Sequence, residues 1–306
     1  MVKSSEKLFN TFFFGNYFYG ICAVALSIEA SLQQGFQLHH PFWYMLLFAG
    51  TVIYYTIAYL HEKNNTSINP RTIWYKDHQQ WIKKSQWILI GVASLAGMYL
   101  LVRYRSGFLF IKSWQFLVAI VFPLLALWYY GDVIPWLRKS SLRSKGWLKP
   151  FVIGFIWAGV VTVYPAMLSA IGNNSSYEPN IFHCLLFLKN GMFIAMLCIL
   201  FDIKDYATDY NEELKTFVVR FGLRKTLFYI IIPLTAIGLG TFLIYGIVHE
   251  FPLFRMIINT IPFILLIIVT YHMHRRKSIL YYLAIIDGLM LVKALCGITG
   301  SFIHHS

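Results

Sequence analysis

Charged residues are scarce in this chain, and acidic residues are the scarcest. Of 306 residues 13% are charged, with 13 Asp and Glu against 26 Lys and Arg. Soluble domains carry about 25% charged residues, so the composition excludes an ordinary soluble domain. Hydrophobic residues make up 58% of the chain and the mean hydropathy is +0.59. We therefore predict an all-α polytopic membrane protein, with residues 1–306 forming a single transmembrane domain.

Cysteine is also rare, and no metal-binding or disulfide spacing is present. Cys22, Cys184, Cys198 and Cys296 all fall within long apolar segments, and none forms a CxxC pair. This pattern favours packing residues over a redox or zinc site. The polar residues 1–7 lead into an apolar stretch without a small-residue cleavage site, so we expect no cleaved signal peptide.

Long apolar runs divide the chain into nine candidate spans. A helix needs about 20 apolar residues to cross roughly 30 Å of hydrocarbon. The runs that meet this condition lie at 10–32, 41–60, 85–102, 113–131, 149–171, 181–201, 225–247, 253–272 and 279–298. We predict a bundle of nine transmembrane helices joined by short outer loops, with two long inner loops at 61–84 and 202–224.

The net charge of +13 is explained by membrane topology. With the N-terminus inside, twenty Lys and Arg residues fall in inner segments, against four in outer loops at Arg103, Arg105, Lys112 and Arg255. This bias predicts a cytoplasmic N-terminus and an outer C-terminus, in a bacterial inner membrane. The excess then serves orientation and contact with anionic membrane lipid, and requires no nucleic acid.

Three aspartates lie at the inner end of the sixth predicted span. On a helix, the offsets of three and seven place Asp202, Asp205 and Asp209 on one face. Asp205 and Asp209 form an unfavourable like-charge pair, and Lys204 is expected to point to another side. Such a cluster favours a hard divalent cation such as Mg²⁺. We therefore predict catalytic and metal-binding roles for these aspartates; a solvated helix end is the alternative.

The segment that follows extends this pattern. After D-x-x-D-x-x-x-D come Lys215, Thr216 and, six residues later, Gly222. This resembles the second aspartate motif of the UbiA superfamily of intramembrane prenyltransferases, which continues K-T-L-P-x-x-x-G. Phe217 and Val218 stand where the family often has Leu-Pro. The resemblance implies a UbiA-like helical bundle with polar inner loops after the second and sixth spans.

The first motif of the family is degenerate in this chain. In place of N-D-x-x-D-x-x-x-D, the corresponding stretch retains one acid, Glu62, beside His61 and Asn64. The trailing Asn69-Pro70-Arg71 resembles the family's N-x-P-x-R. Two interpretations remain open: these side chains form a weakened metal site that includes Glu62, or the first ion is absent.

The resemblance implies a specific chemistry. A polyprenyl diphosphate would bind Mg²⁺ at Asp202, Asp205 and Asp209, with Lys215, Arg220 and Arg71 contacting its phosphates. Aromatic rings at Tyr54, Tyr55 or Tyr59 would stabilise an allylic cation. A hydrophobic acceptor, aromatic or lipid-like, would then attack it.

Two ionisable side chains, Lys189 and Asp287, lie inside predicted spans. Charges in a membrane are costly and usually paired or functional. We hypothesise that Lys189 and Asp287 pair across the bundle, either as a structural clasp or as part of the substrate site.

Three functions are compatible with the sequence. The cluster at Asp202 favours a Mg²⁺-dependent prenyltransferase. The eroded motif at Glu62 favours a non-catalytic protein of the same fold that binds an isoprenoid or a partner. A secondary transporter is favoured only by the charges within the spans.

Overall fold

The computed structural model describes residues 2–60, 70–130, 146–211, 214–274 and 277–302, and within these ranges every regular element is helical. The all-α prediction is confirmed. The helices are α1 Val2–Phe14, α2 Tyr17–Gln33, α3 Pro41–Leu60, α4 Pro70–Asp77, α5 Gln79–Arg103, α6 Ser113–Tyr129, α7 Lys149–Gly172, α8 Ile181–Asp202, α9 Tyr206–Asn211, α10 Phe217–Phe221, α11 Leu223–Val248, α12 Leu253–His272 and α13 Ile279–Phe302.

Eight of the nine predicted spans each overlap one of these helices, and the first, 10–32, covers parts of both α1 and α2. Within the described ranges, six helices are long and apolar enough to cross a membrane: α5, α7, α8, α11, α12 and α13. The bent pair α1–α2 is a seventh candidate if it is counted as one span. Two shorter apolar stretches, Pro41–Ile57 in α3 and Ser113–Tyr129 in α6, correspond to the other two predicted spans. The chain is an integral multi-pass membrane protein; the exact count of nine spans stays a prediction.

The first predicted span is broken in the structure. Helices α1 and α2 meet at an angle of 58°. Between them Asn16 has a left-handed backbone, with φ 65°, and its side chain is fully buried. A non-glycine residue in this conformation needs support from its surroundings. The polar contacts of Asn16 provide that support and direct the break toward α3 and α4.

Three of the long helices contain a π-helical turn. These turns cover Gly159–Val163 in α7, Thr226–Ile231 in α11 and Tyr282–Ile286 in α13. Each inserts an extra residue into the helical repeat and redirects the side chains that follow, and such turns are frequent at functional sites. The turn in α13 ends immediately before Asp287.

Small residues allow the central helices to approach closely. A Cβ at Gly154 of α7 would lie 2.4 Å from the Gly191 carbonyl oxygen of α8, and one at Gly297 of α13 would lie 2.5 Å from the Glu29 side chain of α2. Such positions hold membrane helices together by close packing. They fix α7 against α8 and α2 against α13, the four helices that carry the buried charges described below.

Candidate functional site

Asp202 is the last residue of α8 and is almost completely buried, with 2% of its surface exposed. Its Oδ1 accepts a short hydrogen bond from the Lys149 ammonium at the start of α7. Its Oδ2 is buried and has no hydrogen-bond partner among the described residues. A buried carboxylate oxygen without a donor is costly, so this atom is the natural attachment point for a ligand.

The other two aspartates do not continue the α-helix of Asp202. A 3₁₀ turn over Ile203–Asp205 separates α8 from α9, so the predicted single helical face over all three residues is wrong. The prediction that Lys204 points away is also wrong for Asp205: its Nζ lies 3.1 Å from the Asp205 Oδ2. The tighter turn brings the long side chain back over its neighbour.

Asp209 nevertheless belongs to the same electrostatic cluster. Burial and the negative charge of Asp205 raise the pKa of Asp209 to about 6, although the Lys149 ammonium opposes the shift. Asp202 acts in the same direction as Asp205, with a smaller effect. The three acids therefore crowd one another, which is the condition expected of a cation-binding region.

Arg71 of α4 is buried against the break between α1 and α2. It is 3% exposed and donates to the Phe14 carbonyl oxygen at 3.1 Å and to the side-chain oxygen of Asn16. Its guanidinium lies 4.3 Å above the centre of the Tyr59 ring. The substrate-binding residues predicted at Arg71 and Tyr59 are thus in contact with each other.

Asp287 completes the inner polar region from α13. It is buried and accepts a hydrogen bond of 2.5 Å from the Tyr19 hydroxyl of α2. Arg71 and Lys204 are close enough to interact with it electrostatically. We call Asp202, Asp287, Arg71, Lys149 and Lys204 the inner polar chamber.

The hypothesised pair between Lys189 and Asp287 is wrong. Lys189 donates to the Gln33 Oε1 at 3.0 Å. Because helix α8 runs the length of the bundle, Lys189 lies near its outer end, whereas Asp287 is held beside Tyr19. The acid that pairs with a buried lysine in this half is Glu29, bound to Lys293 at 2.6 Å. The sequence signal for this pair was Glu29 itself, an acid inside the predicted span 10–32 that the expected pairing left out.

Lys215 and Arg220 lie on exposed surface beside the chamber. The Arg220 guanidinium stands 5.4 Å from the Trp147 ring centre and 5.7 Å from that of Phe221. The structure therefore does not bring either cation against the aspartates. Thr216, in contrast, is buried and caps α10 by accepting from the Val219 amide at 3.4 Å.

Gly222 has the conformation its place in the motif requires. Its φ of +80° lies in the left-handed region that favours glycine. Its amide donates to the Val218 carbonyl oxygen at 2.8 Å, so the chain ends α10 and turns into α11. The matching glycine is therefore explained by backbone geometry.

An aromatic cavity of about 440 Å³ lies next to the chamber, between α2, α3, α6 and α7. Its inner wall is Tyr55, which accepts a 2.7 Å hydrogen bond from the Trp157 indole and stacks on Tyr19 at 4.7 Å between ring centres. Since Tyr19 also holds Asp287, the aromatic wall is joined directly to the polar chamber. Ring faces of this kind attract a cationic ligand.

The acids fit a shared metal site better than a complete protein cage. Within the described ranges no three His, Cys, Asp or Glu side chains converge on one point. Mg²⁺ commonly uses one or two carboxylates and completes its shell with water and substrate phosphate. The Asp202 Oδ2, which has no hydrogen-bond partner in the described part of the chain, and the 46% exposed side chain of Asp205 beside it satisfy that requirement. Glu62, the predicted ligand of the first motif, lies outside the described residues.

Fold and spans together define an all-α, multi-pass integral membrane protein. Among solved structures, one similar chain is a UbiA homolog from Aeropyrum pernix K1, with a TM-score of 0.60 and 13% identity over 94% of this chain and 98% of that one. Another is digeranylgeranylglyceryl phosphate synthase in membranes, with a TM-score of 0.55 and 15% identity over 97% and 99%. No protein-family model and no curated protein matches the sequence. The chain has the UbiA-type fold, as its second aspartate motif predicts.

Proposed function

We propose that this protein is a membrane prenyltransferase that moves a polyprenyl group from its diphosphate to a hydrophobic acceptor. The observation that carries the proposal is the buried Asp202, whose Oδ2 lacks a hydrogen-bond partner among the described residues. Around it Arg71, Lys149 and Lys204 supply positive charge for an anionic substrate. The UbiA-type fold supports the same assignment.

Charge complementarity orients the substrate. The diphosphate would occupy the space beside Asp202 and Asp205, with the cations of the chamber contacting its oxygens. Mg²⁺ held by Asp202, Asp205 and Asp209 would neutralise charge that develops on the leaving group. Lys215 and Arg220, which are exposed, would attract the substrate electrostatically before it binds.

The transfer exchanges one bond for another. The bond between C1 of the prenyl group and the diphosphate oxygen breaks, and its electron pair leaves with the diphosphate. The resulting allylic cation faces the rings of Tyr55 and Tyr19, which stack 4.7 Å apart. The acceptor forms a bond to C1 and releases a proton to solvent.

The aromatic cavity would hold the apolar groups. At about 440 Å³ it lies within the range of small-molecule sites, and its lining between α3 and α6 is exposed to the membrane interior. An isoprenoid tail or a lipid-like acceptor fits this environment. One structural neighbour is a synthase named for a product with geranylgeranyl groups, which supports an isoprenoid donor.

We further propose that the chamber faces the cytoplasm. The inner segments carry twenty basic residues against four outside, which supports a cytoplasmic N-terminus, an outer C-terminus and a bacterial inner membrane. The donor diphosphate would then enter from the cytosol, where it is soluble.

The experiment is prenyl transfer by the purified protein in detergent. Labelled geranylgeranyl or farnesyl diphosphate is incubated with aromatic and lipid-like acceptors, with and without Mg²⁺. We expect a labelled lipid product that disappears in the double variant Asp202→Asn, Asp205→Asn. Transfer that survives in this variant would contradict the proposal.

The second candidate function is a non-catalytic protein that binds an isoprenoid. The observation that favours it is the ion pair of Asp202 with Lys149, which occupies one carboxylate oxygen with a protein cation. Binding of the labelled diphosphate without Mg²⁺ and without product would identify this function.

A further inference from the structure

A second group of buried charges lies in the outer half of the bundle. Lys293 of α13 donates to both oxygens of Glu29 of α2, at 2.8 and 2.6 Å. Gln33 donates to the Glu29 Oε1 at 3.0 Å and accepts from the Lys189 ammonium at 3.0 Å. Glu29 is therefore already engaged by Lys293 and Gln33, and the hydrogen-bond partner of Lys189 is a neutral amide.

Arg255 adds a further positive charge to this group. Its guanidinium lies 4.0 Å from the Phe251 ring centre, and no acidic side chain of the described ranges lies within ion-pair distance of it. Lys189 lines one crevice together with Arg255 and a second, smaller cavity together with Glu29 and Lys293. Three cations against one acid leave an excess of two positive charges, which is unfavourable at membrane depth without an anion.

A crevice opens beside these cations, between α8, α11 and α12. Its volume is about 250 Å³, and it is lined by Lys189, Arg255 and Gln33 at its polar end and by Met192, Leu234 and Ile237 farther in. Ile237 is 63% exposed, so the crevice is open toward the membrane interior.

The dimensions of the crevice match one leaflet of a bilayer. Its lining on α8 runs from Phe182 to Met196, which corresponds to roughly 20 Å of helix. Half of the hydrocarbon core is about 15 Å thick. The charged end of the crevice lies toward the N-terminus of α12. A lipid headgroup bound at this end would direct its acyl chain toward the bilayer centre.

We propose that this crevice is a binding site for an anionic membrane lipid, separate from the inner polar chamber. Arg255 and Lys189 contact the headgroup oxyanion, and the acyl chain lies along Met192, Leu234 and Ile237. Arg and Lys are the side chains suited to a phosphate oxyanion, and the excess positive charge selects against zwitterionic lipid. Lys189 lies thirteen residues before Asp202 on α8, or about 20 Å away, so the two sites are independent.

Native mass spectrometry of the detergent-solubilised protein tests this site. The protein is delipidated and titrated with phosphatidylglycerol, with phosphatidylcholine, or with inorganic phosphate. We expect one tightly bound phosphatidylglycerol, at least tenfold weaker phosphatidylcholine binding, and no competition from millimolar phosphate. Equal affinity for the two lipids would overturn the proposal, and so would displacement by phosphate, which would indicate a site for a soluble anion.

Two kinds of variant locate the lipid. Arg255→Gln with Lys189→Gln removes the charges and should weaken phosphatidylglycerol binding at least tenfold, whereas Arg103→Gln, a cation outside the crevice, should not. Gly238→Leu fills the crevice without a charge change, because Gly238 lines it and a Cβ there would lie 3.4 Å from the Phe263 side chain, an ordinary van der Waals contact. Gly240→Leu on the same helix is its matched control, since it lies outside the lining. Unchanged binding in both Gly238→Leu and the charge variant would exclude the crevice.

Discussion

Two lysine–carboxylate pairs with a buried acid are present among the described residues, one at each end of the bundle, and they are built differently. In the outer half both oxygens of Glu29 accept from Lys293, and both side chains are less than a tenth exposed. At the inner end Lys149 engages one oxygen of Asp202 and is 27% exposed, while the other oxygen is buried without a partner among the described residues. The two pairs share their chemical groups and differ in how far the acid is satisfied.

The difference separates a structural contact from a binding position. A fully satisfied buried pair holds two helices in register, and removing one partner leaves a buried charge. A buried acid with one unbonded oxygen keeps a free acceptor for a ligand. Asp202 should therefore matter for activity more than for stability, and Glu29 and Lys293 the reverse.

The largest effect is expected from Asp202→Asn. The neutral amide cannot provide the negative oxygen, so we expect transfer to fall about 1000-fold, or roughly 4 kcal/mol of transition-state stabilisation. Initial rates with labelled donor measure the effect. The control is Asp205→Asn, whose half-exposed side chain is easier to replace; its loss should be smaller. Equal losses in both variants would contradict the special role of the buried acid.

The outer pair should show the opposite behaviour. Lys293→Met leaves Glu29 buried with Gln33 as its remaining donor, and we expect a loss of about 3–5 kcal/mol in the free energy of unfolding. Adding Glu29→Leu should restore much of the loss, because the buried carboxylate left without its lysine is then removed as well. Reversible unfolding in mixed micelles measures both variants. A double variant as unstable as Lys293→Met alone would show that the pair is not the cause.

Asn16 connects the inner chamber to the break between α1 and α2. Its amide donates to the Thr56 hydroxyl at 3.1 Å and the Tyr75 hydroxyl at 3.0 Å, and its oxygen accepts from Arg71. Asn16→Ala loses these bonds and keeps a left-handed backbone that alanine disfavours, so we expect a loss of about 3 kcal/mol.

Asn16→Gly is the matched control, because glycine tolerates the left-handed backbone but cannot make the side-chain bonds. It should recover about 1 kcal/mol of the loss. Thermal unfolding in detergent distinguishes the three proteins. An alanine variant as stable as wild type would mean that these contacts do not stabilise the bend.

The sequence predicted the elements of this fold well because a membrane imposes a strong local rule. Each predicted apolar run, from 10–32 to 279–298, overlaps an observed helix. The same rule cannot show where a helix breaks, because the break at Asn16 depends on partners far along the chain. The π-helical turns are equally invisible to a hydropathy pattern, since they change side-chain direction without changing composition.

Some residues of the candidate site could be predicted and others could not, again because local sequence patterns do not show contacts between distant parts of the chain. The motifs point to Asp202 and Arg71, both of which are buried in the structure, and their roles stay predictions. The predicted Lys189–Asp287 pair is wrong, because a charge within a span fixes neither its depth in the membrane nor the rotation of its helix. Lys189 contacts Gln33, and Asp287 contacts the neutral Tyr19. Lys149 is one of the twenty inner basic residues that the sequence analysis explains by membrane topology alone, yet it is the residue that binds Asp202. Which side chains of distant helices pair depends on how those helices pack in three dimensions.

The smallest effect concerns the pH dependence of stability. Burial and the charge of Asp205 raise the pKa of Asp209 from 3.8 to about 6. Between these values the folded protein holds a proton that the unfolded chain has released, so stability should decrease as the pH rises from about 4 to about 6. Because the side chain is partly exposed and screened, we expect the free energy of unfolding to fall by about 1 kcal/mol over this range.

Asp209→Asn should remove this pH dependence. Asp77→Asn, which changes an exposed acid on α4, should leave it unchanged. Unfolding free energies at several pH values measure the slope; a slope retained in Asp209→Asn would assign it to another group.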